Sequence, residues 1–497
     1  MHMVSRSGIA VTLMLAFTFV GVSADNVHAD DTAGAPQPTE AEAEQLIVDG
    51  DRLADQADYS GALERYTEAY HAVVSRIRGQ EFSKRVLPTL LTRKQLGEEM
   101  LKMMKEEFTP EELDLMDASY KAFGLMPDNV NSGELMTKLL TEEVAGFYDP
   151  QKRRMVLIRE NEEKKEPGFF SRLLGAKATF DKAEQKTTLA HEMTHALQDQ
   201  LYDLRAIQKR VEKDDDLALA FSALVEGDAT LLMFAEMDSE GDITNMDPDA
   251  IRATFTMMSW MLPVAGGPSL RKAPAIFRES LIFPYFQGMI FCISVTGKSG
   301  WPALHAVYAD PPTSTEQIMH PDKYTGQERD EPQSVLLPDL ASTPGGDWKH
   351  LGGNCLGEFQ TSILLKRLRS GRRASAGWDG DRYEVFQRTD GSLGLVYVSV
   401  WDSEKDAGEF AKAYEEYRQP PKARAEGVGD LPATPAVPNR IPSIHQQDDR
   451  VWIVEGFSAE ETQRIEARLS ETRLETKQFP PAITSSAEPT TDDDEAP

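Results

Sequence analysis

The sequence predicts a mostly helical α+β protein, and three observations lead to that prediction. Apolar residues recur at helical spacing in many segments between Glu40 and Met237. Short alternating or apolar runs typical of strands interrupt them, and in the last third of the chain such runs alternate with helices. The composition, with 40% hydrophobic and 27% charged residues over 497 residues, is that of a folded protein of two or three domains.

The overall charge limits the classes of partner. The chain has 53 Lys plus Arg against 82 Asp plus Glu, a formal net charge of −29. Because nucleic acids and anionic membranes attract cationic surfaces, we expect neither as a partner. The two cysteines, Cys292 and Cys355, are too few for a disulfide scaffold or a four-thiolate zinc site, and they allow at most one disulfide.

Residues 1–29 have the pattern of a secretory signal peptide. Arg6 precedes an uncharged apolar run over residues 8–22, and small residues allow cleavage after Ala24 or Ala29. We therefore expect export to the periplasm or the extracellular space, with a retained N-terminal anchor as the alternative. No cysteine follows the run to accept a lipid. The later apolar stretch 281–295 is interrupted by Pro284 and Gln287, so we expect it to belong to the core and expect no stable membrane insertion after cleavage.

The first mature segments are predicted to be a linker and a helical hairpin. Residues 30–43 are polar and proline-containing, which indicates a disordered linker. Residues 44–86 are predicted to form the hairpin, with small and aromatic residues placed as in one tetratricopeptide-like unit: Gly50, Tyr59, Ala62, Tyr66 and Ala69. Since a single unit cannot bury both faces, we expect it to pack on its neighbour, with a peptide-binding role as the alternative.

Residues 87–343 form the next predicted domain. Helices are expected at Arg93–Glu107 and Pro110–Phe123, the second opened by Thr109 as a cap, and a further helix at 135–144. The glycine- and proline-containing segment 146–150 then breaks the helical pattern, and Arg154–Ile158 is predicted to be a strand.

A metal-binding pattern lies in the helix that follows. His191 and His195 are four residues apart, so a helix presents both imidazoles from one face. Glu192 lies one step round the helix, where its carboxylate can reach a water on the same metal. This H-E-x-x-H spacing is the signature of zinc hydrolases. The alternative is a pair of buried histidines satisfied by hydrogen bonds.

The third ligand is expected in the helix Leu217–Met237. Glu226 lies there among Ala, Leu and Val, where a carboxylate is costly to bury unless it is paired or bound to a cation. Gly227 is expected to let the two helices approach closely. The alternative for Glu226 is a paired structural carboxylate.

These motifs resemble a known family. His191 to Gln200 (H-E-M-T-H-A-L-Q-D-Q), followed by Val225 to Ala229 (V-E-G-D-A), is similar to the gluzincin branch of the zincin metallopeptidases, and most similar to a group of secreted prokaryotic proteins. The resemblance implies a zincin-like catalytic domain, one catalytic zinc and a peptide or protein substrate. Many gluzincins place an Asp three or four residues after the ligand Glu to contact a zinc histidine; here Asp228, two residues after it, is the remaining candidate.

The resemblance also implies how substrate binds. In the zincin fold an edge strand runs along the cleft and pairs with an extended peptide. Arg154–Ile158 is the segment expected in this place, so Met155, Val156 and Leu157 are the predicted substrate-binding residues.

The resulting hypothesis is hydrolysis of a peptide bond. Zinc on its three ligands would lower the pKa of a bound water toward about 7, and Glu192 would take the proton and return it to the leaving amine. The oxyanion needs a further donor, for which the candidates are His305, His320, His350, Tyr308 and Tyr324.

We choose His320 because it lies in a polar loop after a Pro-Pro break, with a plain surface histidine as the alternative. Two other functions stay open: a catalytically inactive secreted binding or scaffold protein with the zincin fold, and a zinc amidase acting on cell-wall peptides.

The last part of the chain is predicted to be a separate small domain. Residues 344–480 are expected to be α+β, with a helix at Phe359–Arg369, strands at Tyr383–Gln387 and Leu393–Trp401, and a helix at Glu404–Arg418. A strand at Val451–Val454 and a helix from Ala459 to Leu474 complete it. No catalytic group of residues is evident there, and residues 481–497 are expected to be a disordered acidic tail.

Overall fold

The computed structural model describes residues 37–143, 146–150, 152–158, 182–237, 247–258, 268–327, 329–419 and 441–481. Within them the chain is α+β and mostly helical, as predicted. The predicted signal peptide, residues 30–36 of the predicted linker and residues 482–497 of the predicted tail lie outside the described residues.

The elements are numbered here in chain order. The helices are α1 (Glu40–Asp55), α2 (Tyr59–Arg78), α3 (Arg93–Glu107), α4 (Pro110–Phe123), α5 (Ser132–Glu143), α6 (Lys182–Tyr202), α7 (Leu204–Val211), α8 (Asp215–Met237), α9 (Pro248–Met258), α10 (Pro268–Lys272), α11 (Ala275–Thr296), α12 (Trp301–Val307), α13 (Thr315–Met319), α14 (Pro321–Thr325), α15 (Gly357–Leu365), α16 (Gly371–Ser375), α17 (Glu404–Arg418) and α18 (Ala459–Leu469). The strands are β1 (Pro88–Leu91), β2 (Gly146–Asp149), β3 (Arg154–Ile158), β4 (Gln333–Leu336), β5 (Lys349–Asn354), β6 (Trp378–Gln387), β7 (Leu393–Trp401), β8 (Ser443–Gln447), β9 (Arg450–Glu455) and β10 (Arg473–Thr476).

Capping residues explain where the first helices begin. The Thr39 hydroxyl accepts the backbone N–H of Glu42, whose carboxylate in turn accepts the N–H of Thr39. Helix α1 therefore begins at Glu40, four residues before the predicted start of the hairpin. Thr109 caps α4 in the same way, with Pro110 in the first turn, as the sequence predicts.

The N-terminal hairpin packs on the helices that follow it. Between α1 and α2, Gly50 faces Tyr66 so closely that a Cβ at Gly50 would lie 2.5 Å from the ring. On the other side, the Tyr70 hydroxyl donates to Glu236 of α8 over 2.8 Å. The hairpin thus packs against its neighbour, as expected of a single unit that cannot bury its faces alone.

The small sheet beside α6 corrects one prediction. Its order is β1-β3-β2, with β1 parallel and β2 antiparallel to β3. The expectation that Arg154–Ile158 is an edge strand is wrong, because Pro88–Leu91, which the sequence analysis did not assign to a strand, pairs with its second side. The side chains predicted to bind substrate are buried in this central strand: Met155, Val156 and Leu157.

Helices α8 and α11 form the centre of the core. A Cβ at Gly227 would lie 2.1 Å from the carbonyl carbon of Gly288, so the two helices approach at backbone distance. Gly227 does permit a close approach, but to α11 and not to α6 as the sequence predicted. Helix α8 and the segment Ala275–Ser299 are long and apolar enough to cross a membrane; 94% and 72% of their apolar windows are buried inside the protein, as expected of core helices.

The cysteines do not form a disulfide. Cys292 and Cys355 are both buried free thiols. The Cys292 thiol donates to the Leu224 carbonyl oxygen, whereas the Cys355 thiol donates to the Asp214 carboxylate. The one disulfide that composition allowed is therefore absent.

The C-terminal part is an antiparallel sheet with helices. Its strand order is β5-β6-β7-β9-β8. The bounds of β7 and α17 agree with prediction to the residue, whereas β5 and β8 were not predicted. Strand pairing crosses the predicted domain boundary at residue 344, because β4, which precedes it, pairs antiparallel with β10, which follows it. Tyr417 of α17 also donates to the carbonyl oxygen of Phe123 in α4, which joins this part to the preceding helices.

Candidate metal centre

Three donor atoms meet between α6 and α8. The Nε2 atoms of His191 and His195 lie 3.0 Å apart. The Glu226 Oε2 atom lies 3.1 Å from the first and 3.5 Å from the second. Helical spacing brings the two imidazoles to one face of α6, and the packing of α8 against that face delivers the carboxylate. The structure thus brings together the three residues that the sequence predicts as ligands.

The donor set fits a tetrahedral zinc ion. Zinc–nitrogen and zinc–oxygen bonds of about 2.0–2.2 Å place neighbouring tetrahedral ligands about 3.3–3.5 Å apart. The separations of 3.0, 3.1 and 3.5 Å between the donor atoms are close to these values. Two imidazoles and one carboxylate are also the ligand types of a catalytic zinc site that leaves a fourth position open.

The charges within the centre reinforce one another. Burial alone would raise the pKa of Glu226, but the charge of His195 and hydrogen bonds from both histidines lower it to about 2. Burial would lower the pKa of His195, and the Glu226 carboxylate instead raises it. Glu226 is therefore ionised, as a candidate metal ligand must be.

A second cluster of carboxylates has a different role. Glu316, Asp330 and Asp402 also lie close enough together to hold a cation. The Lys323 ammonium, however, lies 2.6 Å from Glu316 and 2.7 Å from each of the other two. This cluster already encloses a positive charge supplied by the chain.

Glu192 lies beside the donor atoms without being one of them. Its side chain is buried, and its Oε2 atom accepts the backbone N–H of Tyr148 over 2.8 Å. Burial raises the pKa of Glu192, the nearby Glu226 carboxylate adds to the rise, and both histidines oppose it. A raised pKa suits a carboxylate that must take up a proton and release it again.

Tyr148 is held at two points. Its backbone N–H binds Glu192, and its hydroxyl donates to Asp199 over 3.1 Å. Burial raises the pKa of Asp199 to about 6. Since Glu192 and Asp199 both belong to α6, these contacts fasten β2 to the helix that carries the ligands. The role of Tyr148 could not be predicted from the sequence, because the contact uses its backbone N–H, which no motif reveals.

Tyr285 lies beside the imidazole of His191. Its ring, carried by α11, stacks on that of His191 with centroids 5.9 Å apart and an interplanar angle of 28°. Burial raises the pKa of Tyr285 well above its ordinary value, and the carboxylates of Glu226 and Glu192 raise it further. The phenol therefore stays protonated and can donate. Sequence reasoning missed it, the only available signal being a hydroxyl within an otherwise apolar run.

The structure places His320 in another cluster. This residue joins α13 and α14, and its Nε2 atom lies 3.0 Å from the Glu358 carboxylate of α15. The hydrogen bond that His320 donates to the Glu358 carboxylate is the main cause of the raised pKa of His320. The structure therefore pairs His320 with Glu358 and does not bring it to Glu192 or the donor atoms.

The side chain that hydrogen-bonds to Nδ1 of His195 is Gln198 and not Asp228, the candidate from the sequence. The Nδ1 atom of His195 lies 2.8 Å from the side-chain oxygen of Gln198. The amide nitrogen of Gln198 in turn donates to Asp228 Oδ2 over 2.8 Å. Gln198 thus contacts the predicted ligand His195, and Asp228 lies one hydrogen bond further away.

Comparison with known proteins identifies one part of the chain. Residues 349–466 match a family described as a domain of unknown function (DUF8575). The matched segment runs from β5 into α18 and so covers the five-stranded sheet, while α6 and α8 lie outside it. No curated protein and no solved structure gave a significant match.

Proposed function

We propose that the protein is an exported zinc-dependent peptidase. The observation that carries the proposal is the meeting of three zinc-type donor atoms, 3.0–3.5 Å apart, beside the buried carboxylate of Glu192. Export is supported by the signal-peptide pattern of residues 1–29.

The chain's own residues supply the proton transfers. Zinc bound to His191, His195 and Glu226 would act as a Lewis acid toward water and the substrate carbonyl. Glu192, held at Oε2 by Tyr148, accepts the proton of the attacking water on its other oxygen. It then returns that proton to the leaving amine nitrogen, so one carboxylate acts as base and as acid.

The substrate is proposed to lie along β2. Among the strands that the structure describes, β2 is the outer one of its sheet, and the Tyr148 N–H points from it toward Glu192. The side of β2 away from β3 therefore faces the reacting groups. An extended peptide can pair with the backbone groups of this edge that Glu192 does not occupy, and such backbone pairing tolerates many side chains.

Tyr285 is proposed as the donor that stabilises the oxyanion. Replacing it, as Tyr285→Phe, keeps the ring that stacks on His191 and removes only the hydroxyl. We expect kcat to fall about 10²–10³-fold, the usual cost of losing one such donor, with KM and zinc content little changed. Steady-state kinetics of Tyr285→Phe and His320→Ala, measured side by side, distinguish the two candidate oxyanion donors. A loss of kcat in the His320 variant alone would favour His320, the residue chosen from the sequence.

Elemental analysis and a cleavage assay test the proposed function. We expect one zinc per chain, and cleavage of a denatured protein mixture that stops with a chelator and returns when zinc is added. Zinc without chelator-sensitive cleavage of any substrate would favour a binding or scaffold protein. Purified cell-wall peptides, assayed in parallel, distinguish an amidase: cleavage of these alone would replace protein by wall peptide as the substrate.

A further inference from the structure

We infer that Arg78, Asp228 and Gln198 form a buried chain of hydrogen bonds that positions the metal ligand His195. This chain makes the N-terminal hairpin part of the metal centre. The inference rests on the proposed function for its purpose, and on contacts between described residues for its geometry.

The partners of the Gln198 amide fix its orientation. Its nitrogen lies 3.1 Å from the backbone carbonyl oxygen of Val225. Since a carbonyl oxygen can only accept, the nitrogen must point there, and the amide oxygen must face His195 Nδ1 at 2.8 Å. An amide oxygen also only accepts, so Nδ1 carries the proton. In the neutral ring that keeps this Nδ1 proton, the lone pair lies on Nε2 and faces the other two donor atoms, which is the tautomer that binds a metal.

An ion pair anchors the far side of the amide. Asp228 Oδ2 accepts from the Gln198 nitrogen over 2.8 Å and from the Tyr308 hydroxyl over 2.8 Å. The same oxygen lies 3.0 Å from Nη2 of Arg78, and the two charged side chains are 1% and 0% exposed. Each partner thus has a fixed place, because neither charge can turn to solvent.

The anchor comes from a distant part of the chain. Arg78 is the last residue of α2, whereas Asp228 belongs to α8 and Gln198 to α6. Desolvating both charges is expensive, and an apolar pair would fill the same space at less cost. We therefore assign the pair a positioning role: the guanidinium fixes the carboxylate, the carboxylate fixes the amide, and the amide fixes the imidazole.

The experiment compares zinc affinity across variants of the full chain. Gln198→Leu removes the amide that faces His195. The double variant Arg78→Met with Asp228→Asn removes both charges together, so neither is left buried alone. We expect zinc affinity, measured by competition with a chromophoric chelator, to fall about 10–100-fold in both variants. Arg78→Lys keeps the positive charge and is expected to retain most of the affinity.

A spectroscopic measurement separates positioning from folding. In the metal-free protein, NMR should show a protected imidazole proton on His195 Nδ1, and this signal should be lost in Gln198→Leu. Circular dichroism confirms that each variant is folded at the temperature used.

A matched control is the buried ion pair of Arg418 and Glu455, 2.9 Å apart and also almost fully buried. Its double variant, Arg418→Met with Glu455→Gln, should leave zinc affinity unchanged. Tyr70→Phe removes another contact between α2 and α8 and should do the same.

The outcomes separate this inference from the proposed function. Wild-type zinc affinity and an intact His195 proton signal in Gln198→Leu would overturn the inference, as would an equal loss of affinity in the Arg418 control. If the wild type binds zinc but cleaves nothing, the peptidase proposal fails while the affinity comparison still stands. If the wild type binds no zinc, the NMR signal of the His195 Nδ1 proton alone decides whether the hydrogen bonds from Arg78 to Gln198 position His195.

Discussion

Glu192→Gln is expected to abolish peptide hydrolysis while leaving zinc in place. The substituted side chain has nearly the same shape, and its amide oxygen can still accept the Tyr148 N–H that Glu192 now accepts over 2.8 Å. What it loses is the ability to take up a proton. Since a positioned general base contributes about 10²–10⁴-fold to the rate, we expect kcat to fall by at least that factor. Zinc affinity should not change, because Glu192 is not among the three donor residues.

The matched control for this variant is Glu358→Gln. Glu358 is also a buried glutamate with a pKa raised by burial, but it pairs with His320. We expect its variant to cleave substrate at the wild-type rate. A Glu192→Gln enzyme that cleaved as fast as the wild type would contradict the assigned role. Loss of zinc together with activity would instead mean that Glu192 serves as a ligand.

The elements of the metal centre were predictable from sequence because the signal is local. Helical spacing alone brings His191 and His195 to one face, and Glu226 stands out as a carboxylate in an apolar helix. The distance between α6 and α8 cannot be predicted from the sequence of either helix. It follows from their packing, which places Glu226 Oε2 3.1 Å from the His191 ring.

The remainder of the site was not predictable because it depends on contacts between distant segments. The edge assignment of β3 failed because a four-residue strand from far upstream, β1, pairs with it. Asp228 could not be linked to His195 by helix geometry, since Gln198 stands between them. His320 was chosen for its polar loop, and its actual partner, Glu358, lies 38 residues further along the chain.

Gly227→Ala is expected to destabilise the protein more than a typical single substitution and to impair catalysis with it. The added Cβ would lie 2.1 Å from the carbonyl carbon of Gly288 and 2.4 Å from its oxygen. These are backbone atoms, so the clash cannot be relieved by a side-chain rotation, and α8 and α11 must move apart. Overpacking of a core lowers the free energy of unfolding by about 1–3 kcal/mol. Because the clash here is with backbone atoms, we expect a loss at the upper end of this range or beyond it.

Moving α8 and α11 apart would also change the geometry of the metal centre. Gly288 lies three residues after Tyr285 on α11, and Gly227 follows the proposed ligand Glu226 on α8. Moving α11 outward therefore withdraws Tyr285 from His191, and we expect kcat to fall in the fraction of protein that still folds. Thermal unfolding followed by circular dichroism measures the loss of stability, and steady-state kinetics on the folded protein measure the loss of kcat.

Gly408→Ala is the matched control, since this helical glycine of α17 would bring its new Cβ within 3.2 Å only of the flexible Gln446 side chain. There alanine should be neutral or stabilising by up to about 1 kcal/mol, because it favours the helix over glycine. A Gly227→Ala protein as stable as the Gly408→Ala protein would show that α8 and α11 are not held together at backbone distance. The packing of these two helices brings both Glu226 and Tyr285 to His191, so the same result would also remove the structural basis for Tyr285 as the oxyanion donor.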